Sequence, residues 1–267
     1  MIERFETECV LLFMDDAAGT KPITYSCREM KKVWWKKLTI HKPGLDVVTA
    51  TCLLMLLMHG FIYLQGGVVN HEELYTQWLG LSVDGLLSGK VWQLVTYAFL
   101  HGSWFHLITN MLVIWLIGGR VLSTFNQKRV SVCLLLGTVA GALCFIGFEL
   151  LNKNHSFLVG ASGAAFACFI LMACISPNVK LIPIPVRAKN MAIGLLSASL
   201  LLALAHPGLG LPGFSSFYEM LAQAGLGSMF MISHSCHLGG GIAGIWLSRK
   251  IMGKMVSLED LARTRID

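Results

Sequence analysis

Residues 130–148 read VSVCLLLGTVAGALCFIGF, a run of apolar and small residues without one charged side chain. A helix needs about 20 mostly apolar residues to cross the hydrocarbon core of a bilayer, so this stretch predicts a transmembrane helix. Only 13% of the 267 residues are charged and 55% are apolar, whereas soluble domains carry about 25% charged residues. The composition therefore argues against a soluble globule and excludes a disordered chain. Five further charge-free stretches cover residues 47–71, 91–119, 154–179, 190–218 and 220–248.

The six stretches predict six transmembrane helices, and three of their boundaries need adjustment. The fifth helix should end at Pro207, and the sixth should begin near Gly225. The second stretch is too long for one helix, but Gly102-Ser103 offers a break followed by a favourable N-cap, so helix 2 should begin near Ser103. The expected fold class is an all-α polytopic membrane protein. Its expected parts are a six-helix domain over 46–249 and two tails, 1–45 and 250–267.

The distribution of basic residues predicts the orientation of these helices. Six alternating spans place all but two of the 21 Lys and Arg residues on one side, with Lys90 and Lys153 on the other. Basic loops remain in the cytoplasm, so both termini are expected there. We expect a multi-pass protein of the bacterial inner (plasma) membrane. The formal net charge of +6 then follows from topology, and no nucleic-acid partner is needed to explain it.

Polar side chains inside membrane helices are costly, and two of them share one face of helix 2. His106 and Asn110 are four residues apart, which places them on the same side of a helix near its start. An asparagine alone in such a helix is more often a contact between helices. A functional role for this pair therefore depends on what lies opposite to it.

A serine between glycines opens the fourth predicted helix. Gly160 can make a tight turn, and Ser162 then lies in the first helical turn, where free N–H groups and the positive end of the helix dipole favour developing negative charge. Gly163 completes the string Gly160-Ala-Ser-Gly163. The alternative interpretation is a close-packing surface of small residues.

Histidines and spaced glycines occupy the sixth helix, where residues 234–244 read HSCHLGGGIAG. Gly240 and Gly244, with Gly241 one turn beyond His237, would let the small-residue face around Ser162 approach closely. Such a contact brings Ser162 and His237 within hydrogen-bonding reach, with His237 as the base. Glu149 and Glu219 lie at or beyond the ends of spans, so a serine nucleophile here would act in a dyad without a carboxylate.

Together, these three sites resemble the rhomboid family of intramembrane serine proteases. The family pattern is His-x-x-x-Asn on helix 2, Gly-x-Ser-Gly opening helix 4, and a histidine followed by spaced glycines on helix 6. All three elements occur here in that order, and the resemblance covers roughly residues 46–249. It implies a rhomboid-like bundle of six transmembrane helices. It also implies an endopeptidase that hydrolyses peptide bonds in or near the transmembrane segments of other membrane proteins within the lipid bilayer.

The resemblance also implies individual roles. Ser162 would be the nucleophile and His237 the general base and acid, without a metal or other cofactor. His106, Asn110 and the backbone N–H of Ser162 would stabilise the oxyanion. Phe166 would pack against the imidazole, and His101 would be structural. The family's Trp-Arg pair in the first loop is replaced here by Trp92-Gln93, which leaves the anchoring of that loop open. The supporting residues are Gly160, Gly163, Phe166 and Gly241.

Three alternatives remain at the level of sequence. The first is a catalytically inactive rhomboid-like protein that binds membrane clients, although such relatives generally lack the Ser-His pair. The second is a membrane protein that holds a metal or haem through histidines, because His234 and His237 have metal-like spacing, although no carboxylate or third clustered ligand joins them. The third is a transporter, for which an internal repeat and buried charges would be typical.

Overall fold

The computed structural model describes residues 11–13, 23–25, 44–66, 72–152, 156–181, 186–226 and 232–252. The chain divides into two compact units, one covering Pro43–Ser248 and the other combining Met1–Lys42 with Arg249–Asp267. In the second unit, the short strands β1 (Leu11–Phe13) and β2 (Ile23–Tyr25) pair in antiparallel fashion. Most of the two predicted tails lies outside the described residues, so their boundaries stay predictions.

Helices form nearly all of the described part of the larger unit. In chain order they are α1 (Val47–Leu64), α2 (Glu72–Leu79), α3 (Val83–Leu87), α4 (Gln93–Thr96), α5 (Trp104–Thr124), α6 (Gln127–Asn152), α7 (Ser162–Ile175), α8 (Ala188–Leu204), α9 (Phe214–Leu221) and α10 (His234–Met252). Between α7 and α8, strand β3 (Lys180–Leu181) pairs with β4 (Val186–Arg187). The long helices α1, α5, α6, α7, α8 and α10 follow the six charge-free stretches in order.

The lengths of these six helices differ. Within the described residues, α1, α5 and α6 are long and apolar enough to cross a membrane, whereas α7 and α8 are apolar but have 14 and 17 residues. Helix α10 has 19 residues, with Arg249 and Lys250 in its last turn. Cationic side chains at a helix C-terminus complement the negative end of its dipole. The predicted all-α class of helical membrane bundle is confirmed.

Capping residues and prolines fix several helix ends, two of them close to where the sequence analysis predicted. The Asp46 side chain accepts hydrogen bonds from the N–H groups of Val48 and Thr49 and so caps α1. Ser103 caps α5 by accepting from the N–H of His106 at 3.2 Å, as predicted from Gly102-Ser103. Helix α8 ends at Leu204, shortly before Pro207, as predicted.

The predicted start of the sixth helix is wrong. Helix α10 begins at His234 rather than near Gly225. Residues 214–226 form the separate helix α9 and a π-helical turn that follows it. Gly225 lies in that turn with a φ of 79°. This left-handed conformation interrupts a right-handed helix, and glycine adopts it at little cost. His237 consequently lies in the first turn of its helix.

Helix α7 packs against both α6 and α10 through small residues, and most of its side chains are buried. A Cβ atom at Gly240 of α10 would overlap the carbonyl oxygen of Gly163, and one at Gly244 would lie 2.6 Å from the carbonyl oxygen of Ala167. The predicted close approach of these two backbones is therefore confirmed. Gly241 instead faces α8, because a Cβ atom there would lie 2.5 Å from Leu196.

Candidate active site

The nucleophile candidate lies directly after a tight turn. Gly160 has a φ of 111°, a conformation that side-chain-bearing residues rarely adopt, and its N–H donates to the carbonyl of Tyr97 at 2.9 Å. Two residues later, α7 begins at Ser162. The first N–H groups of a helix have no acceptor within it, so the backbone of Ser162 offers a donor beside its own hydroxyl. The side chain of Ser162 is half-buried.

Helix α5 presents His106 and Asn110 to this turn. A Cβ atom at Gly160 would lie 2.5 Å from Nε2 of His106 and 3.4 Å from Nδ2 of Asn110. Asn110 is only 6% exposed, and its Nδ2 has no hydrogen-bond partner among the residues that the structure describes. A buried donor without an acceptor is expensive in a folded protein, unless a ligand supplies the acceptor. The turn before Ser162 is thus lined by nitrogen atoms that can donate to an incoming oxygen.

The imidazole of His237 lies over the same face of α7. It stacks on the ring of Phe166 with a centroid separation of 4.2 Å and an interplanar angle of 11°. Phe166 follows Ser162 by four residues, so both side chains project from one face of α7. The helix contact agrees with this placement, because Gly163, next to Ser162, touches Gly240, which is three residues beyond His237.

The resting contact of the Ser162 hydroxyl is with the neighbour of His237. Ser162 interacts with the thiol of Cys236, which is fully buried. Among the described residues, no hydrogen bond joins Ser162 to the His237 imidazole. Catalytic hydrogen bonds are often long or poorly aligned before substrate binds, and a rotation of the short serine side chain changes its partner.

No carboxylate completes a triad in the part of the chain that the structure describes. Glu149 is buried in α6, where its carboxylate accepts from the N–H of Ser156 at 3.1 Å and from its hydroxyl at 2.7 Å. His237 forms no hydrogen bond or ion pair with an acidic side chain there. The same residues contain no group of three or more His, Cys, Asp or Glu side chains arranged to hold a metal ion.

A histidine on α1 borders the site, and the sequence analysis missed it. His59 is 5% exposed and lies 6.4 Å from His101, which lies 5.1 Å from His106, measured between ring centroids. The side chain of His101 is fully buried. The one available signal for His59 was a lone imidazole within the first charge-free stretch. Its place beside the other two depends on helix packing, which sequence spacing does not reveal.

The first loop is anchored by a neutral amide at the position where the family carries arginine. The fully buried Gln93 donates from Nε2 to the carbonyl of Gln77 at 2.8 Å and accepts from the N–H of Ser82 at 3.4 Å. Beside it, Trp92 donates from Nε1 to the carbonyl of Trp78 at 2.8 Å. The open question about this loop is thereby answered, because Gln93 ties α4 to the end of α2.

Comparison with known proteins agrees with this architecture. The profile of the Rhomboid domain matches residues 88–254, which is well over half of the chain. The chain belongs to the rhomboid family. The match includes α5, α7 and α10, which carry the three sites described above, while α1 lies before it. Family membership and the apolar helices together make the chain an integral membrane protein.

Several curated relatives carry rhomboid names. The chain is 26% identical to RHOMBOID-like protein 5 of Arabidopsis thaliana over 159 residues, 60% of this chain and 43% of that protein. It is 29% identical to the rhomboid protease GluP of Bacillus subtilis over 43% of this chain and 22% of GluP. It is 28% identical to the rhomboid protease GlpG of Salmonella choleraesuis over 47% of this chain and 41% of GlpG. The chain thus spans less than half the length of each of these relatives.

Proposed function

We propose that this rhomboid protein is an intramembrane serine endopeptidase with a Ser162–His237 dyad. The observation that carries the proposal is the contact between α7 and α10. Gly240 lies against Gly163, and His237 stacks on Phe166, four residues after Ser162. This arrangement supports a base close to the serine. The names of the bacterial relatives, both rhomboid proteases, support the same activity.

The proposed reaction proceeds in two halves. Oγ of Ser162 attacks the scissile carbonyl carbon while Nε2 or Nδ1 of His237 takes its proton. The C–N bond then breaks, the amine leaves with the proton from His237, and an acyl-enzyme remains. Water, deprotonated by His237, attacks the ester carbonyl, and the serine regains its proton as the carboxylate product departs. No other residue is required to carry a proton.

The oxyanion of each tetrahedral intermediate would be held by three donors. They are the N–H of Ser162, Nδ2 of Asn110 and an N–H of His106. Such a preorganised donor contributes about 3 kcal/mol to the stability of the transition state. The unpartnered Nδ2 of the buried Asn110 supports this assignment, because the oxyanion would be its missing acceptor.

The proposed substrates are transmembrane segments of other proteins. A peptide bond within a helix is hydrogen-bonded and shielded, so cleavable segments should contain helix-weakening residues, with a small residue before the cut. The uneven distribution of Lys and Arg supports cytoplasmic termini. In this orientation, the proposed dyad faces the external side of the membrane. We place the protein in the plasma membrane of a bacterium.

The decisive experiment measures cleavage of a single-span substrate by the full-length chain in lipid vesicles. We expect Ser162→Ala and His237→Ala to lose roughly ten-thousand-fold or more in kcat. Ser131→Ala is the matched control, because Ser131 bonds to the carbonyl of Gln127 within its own helix. Undiminished cleavage by Ser162→Ala would end the assignment of the nucleophile.

Two other outcomes correspond to the alternatives. A wild-type chain that captures membrane clients without cutting them would identify an inactive rhomboid-like protein. A stoichiometric metal ion with chelator-sensitive activity would identify a histidine-liganded metal protein. Labelling with a serine-directed mechanism-based probe separates these cases, because only the proposed protease loses its label in Ser162→Ala.

A further inference from the structure

Tyr97 begins a single turn of 3₁₀ helix, Tyr97–Phe99, which lies between α4 and α5. It is among the largest side chains that are fully buried, with 0% exposure. The family pattern of His, Ser, Gly and Asn does not include this position, and the sequence analysis gave it no role. Its contacts nevertheless reach residues close to each half of the dyad, Gly160 near Ser162 and Cys236 next to His237.

The backbone of Tyr97 fixes the turn that leads to the nucleophile. Its carbonyl accepts the N–H of Gly160 at 2.9 Å. Gly160 precedes Ser162 by two residues and has the positive φ on which the turn depends. A hydrogen bond at this point limits how far the start of α7 can move relative to the loop before α5.

The phenol of Tyr97 reaches the start of the helix that carries the base. Its hydroxyl donates to the carbonyl of Thr138 in α6 at 2.8 Å and lies 3.7 Å from Sγ of Cys236. Cys236 directly precedes His237. One residue therefore links the turn before the serine, the middle of α6 and the position adjacent to the imidazole.

The space around this hydroxyl is kept open by glycines of two helices. A Cβ atom at Gly141 of α6 would lie 3.2 Å from the phenol oxygen and 2.8 Å from Sγ of Cys236. A Cβ atom at Gly163 of α7 would lie 3.4 Å and 3.1 Å from the same two atoms. The hydroxyl and the thiol thus fill a tight junction of α6, α7 and α10, where small shifts are transmitted because packed interiors deform little.

From these contacts we infer that Tyr97 is a positioning residue for the dyad, acting through Cys236 on His237 and through Gly160 on Ser162. The inference rests on the proposed protease function. Phenylalanine would fill the same apolar space, so the hydroxyl is the group that distinguishes Tyr97, through its bond to the Thr138 carbonyl and its contact with Cys236. Burying a hydroxyl costs desolvation free energy unless hydrogen-bond partners offset it. Here one of the partners is the neighbour of the proposed base.

The test compares Tyr97→Phe with wild type in the vesicle assay. The variant keeps the ring and the backbone bond and loses the hydroxyl. We expect kcat to fall about fivefold, the factor that corresponds to one buried hydrogen bond, while KM stays within about twofold. Ile114→Val is the control for stability, because Ile114 is a fully buried residue of α5 outside this junction. An equal fall in kcat for Ile114→Val would overturn the inference.

A double-mutant cycle tests the route through the thiol. Cys236→Ala removes the thiol contact of the hydroxyl and keeps its bond to the Thr138 carbonyl. If Tyr97 acts on His237 through this thiol, the double variant with Tyr97→Phe should be no slower than the slower single variant. If the factors by which the two substitutions lower kcat multiply in the double variant, Tyr97 acts independently of Cys236, and the inference is overturned.

Nuclear magnetic resonance of histidine-labelled protein provides a readout that does not need activity. We expect the ring signals of His237, assigned by their loss in His237→Ala, to shift in Tyr97→Phe and not in Ile114→Val. Unchanged signals in Tyr97→Phe would overturn the inference. A wild-type chain that cleaves nothing would refute the proposed function, and the His237 signals would still decide whether Tyr97 positions that ring.

Discussion

Replacing Gly240 by alanine should separate the two halves of the proposed dyad. The new Cβ atom would overlap the carbonyl oxygen of Gly163 and lie 2.9 Å from its carbonyl carbon and 3.0 Å from its Cα. All three atoms belong to the backbone, so no side chain can rotate to relieve the contact. Restoring 2.9 Å to the ordinary 3.4 Å already moves α7 and α10 apart by 0.5 Å, and clearing the oxygen requires more.

This displacement should act mainly on the chemical step. A misplacement of about 1 Å at a reacting group lowers the rate roughly 100-fold, so we expect kcat of Gly240→Ala to fall by about that factor. Overpacking of a core typically costs about 1–3 kcal/mol of stability, so the variant should still fold. Cleavage of a single-span substrate in vesicles gives the rate, and thermal unfolding of the purified chain gives the stability.

Gly147→Ala is the matched control, because a Cβ atom at Gly147 of α6 meets nothing within 4 Å. Alanine at an unobstructed helical position stabilises by roughly 0.5–1 kcal/mol relative to glycine, so this variant should cleave normally and unfold at a slightly higher temperature. Wild-type cleavage by Gly240→Ala would refute the claim that glycine contact brings Ser162 and His237 together.

Three further substitutions test separate parts of the site. Asn110→Ala removes a proposed oxyanion donor, so its kcat should fall about 100-fold at unchanged KM, as measured by initial rates of cleavage. Phe166→Ala removes the ring stacked on His237, which should lower kcat about tenfold in the same assay, since such aromatic contacts contribute roughly 0.5–1.5 kcal/mol. Gln93→Leu leaves the Ser82 N–H and the Gln77 carbonyl without their amide partner and should lower stability by about 1–3 kcal/mol in thermal unfolding.

Each of these expectations has a contrary result. An Asn110→Ala enzyme with normal kcat and a raised KM would assign Asn110 to substrate binding. Normal cleavage by Phe166→Ala would show that the stacked ring does not hold the imidazole. A Gln93→Leu chain as stable as wild type would show that the first loop is anchored elsewhere.

Local signals in the sequence were sufficient for the fold class and for several structural features of the candidate site. Charge-free stretches predicted the helices, Ser103 predicted the start of α5, and Gly160 predicted the turn before Ser162. Each of these depends on residues close together in the chain. The glycines of α10 also predicted the contact with α7, because a missing side chain on a membrane helix indicates close approach.

The remaining features depend on contacts between distant residues. The phenol of Tyr97 lies against residues 41 and 139 positions away, and no local pattern identifies such partners. Gln93 was noticed only as a departure from a family pair, although its amide fills the role of an anchor. The start of α10 was misplaced because Gly225 lies in an apolar stretch, where composition does not distinguish a left-handed turn from a helix.

The length of α7 bears on how water could reach a site in lipid. Its 14 residues span about 21 Å at 1.5 Å per residue, whereas the hydrocarbon layer is about 30 Å thick. If its far end lies at one boundary of that layer, Ser162 lies some 9 Å short of the other. Helix α7 does not fill the space between Ser162 and that boundary. The polar side chains that line this space favour water over acyl chains. The short α7 would thus hold the Ser162 hydroxyl, the proposed nucleophile, below the lipid surface at a depth that bulk water still reaches.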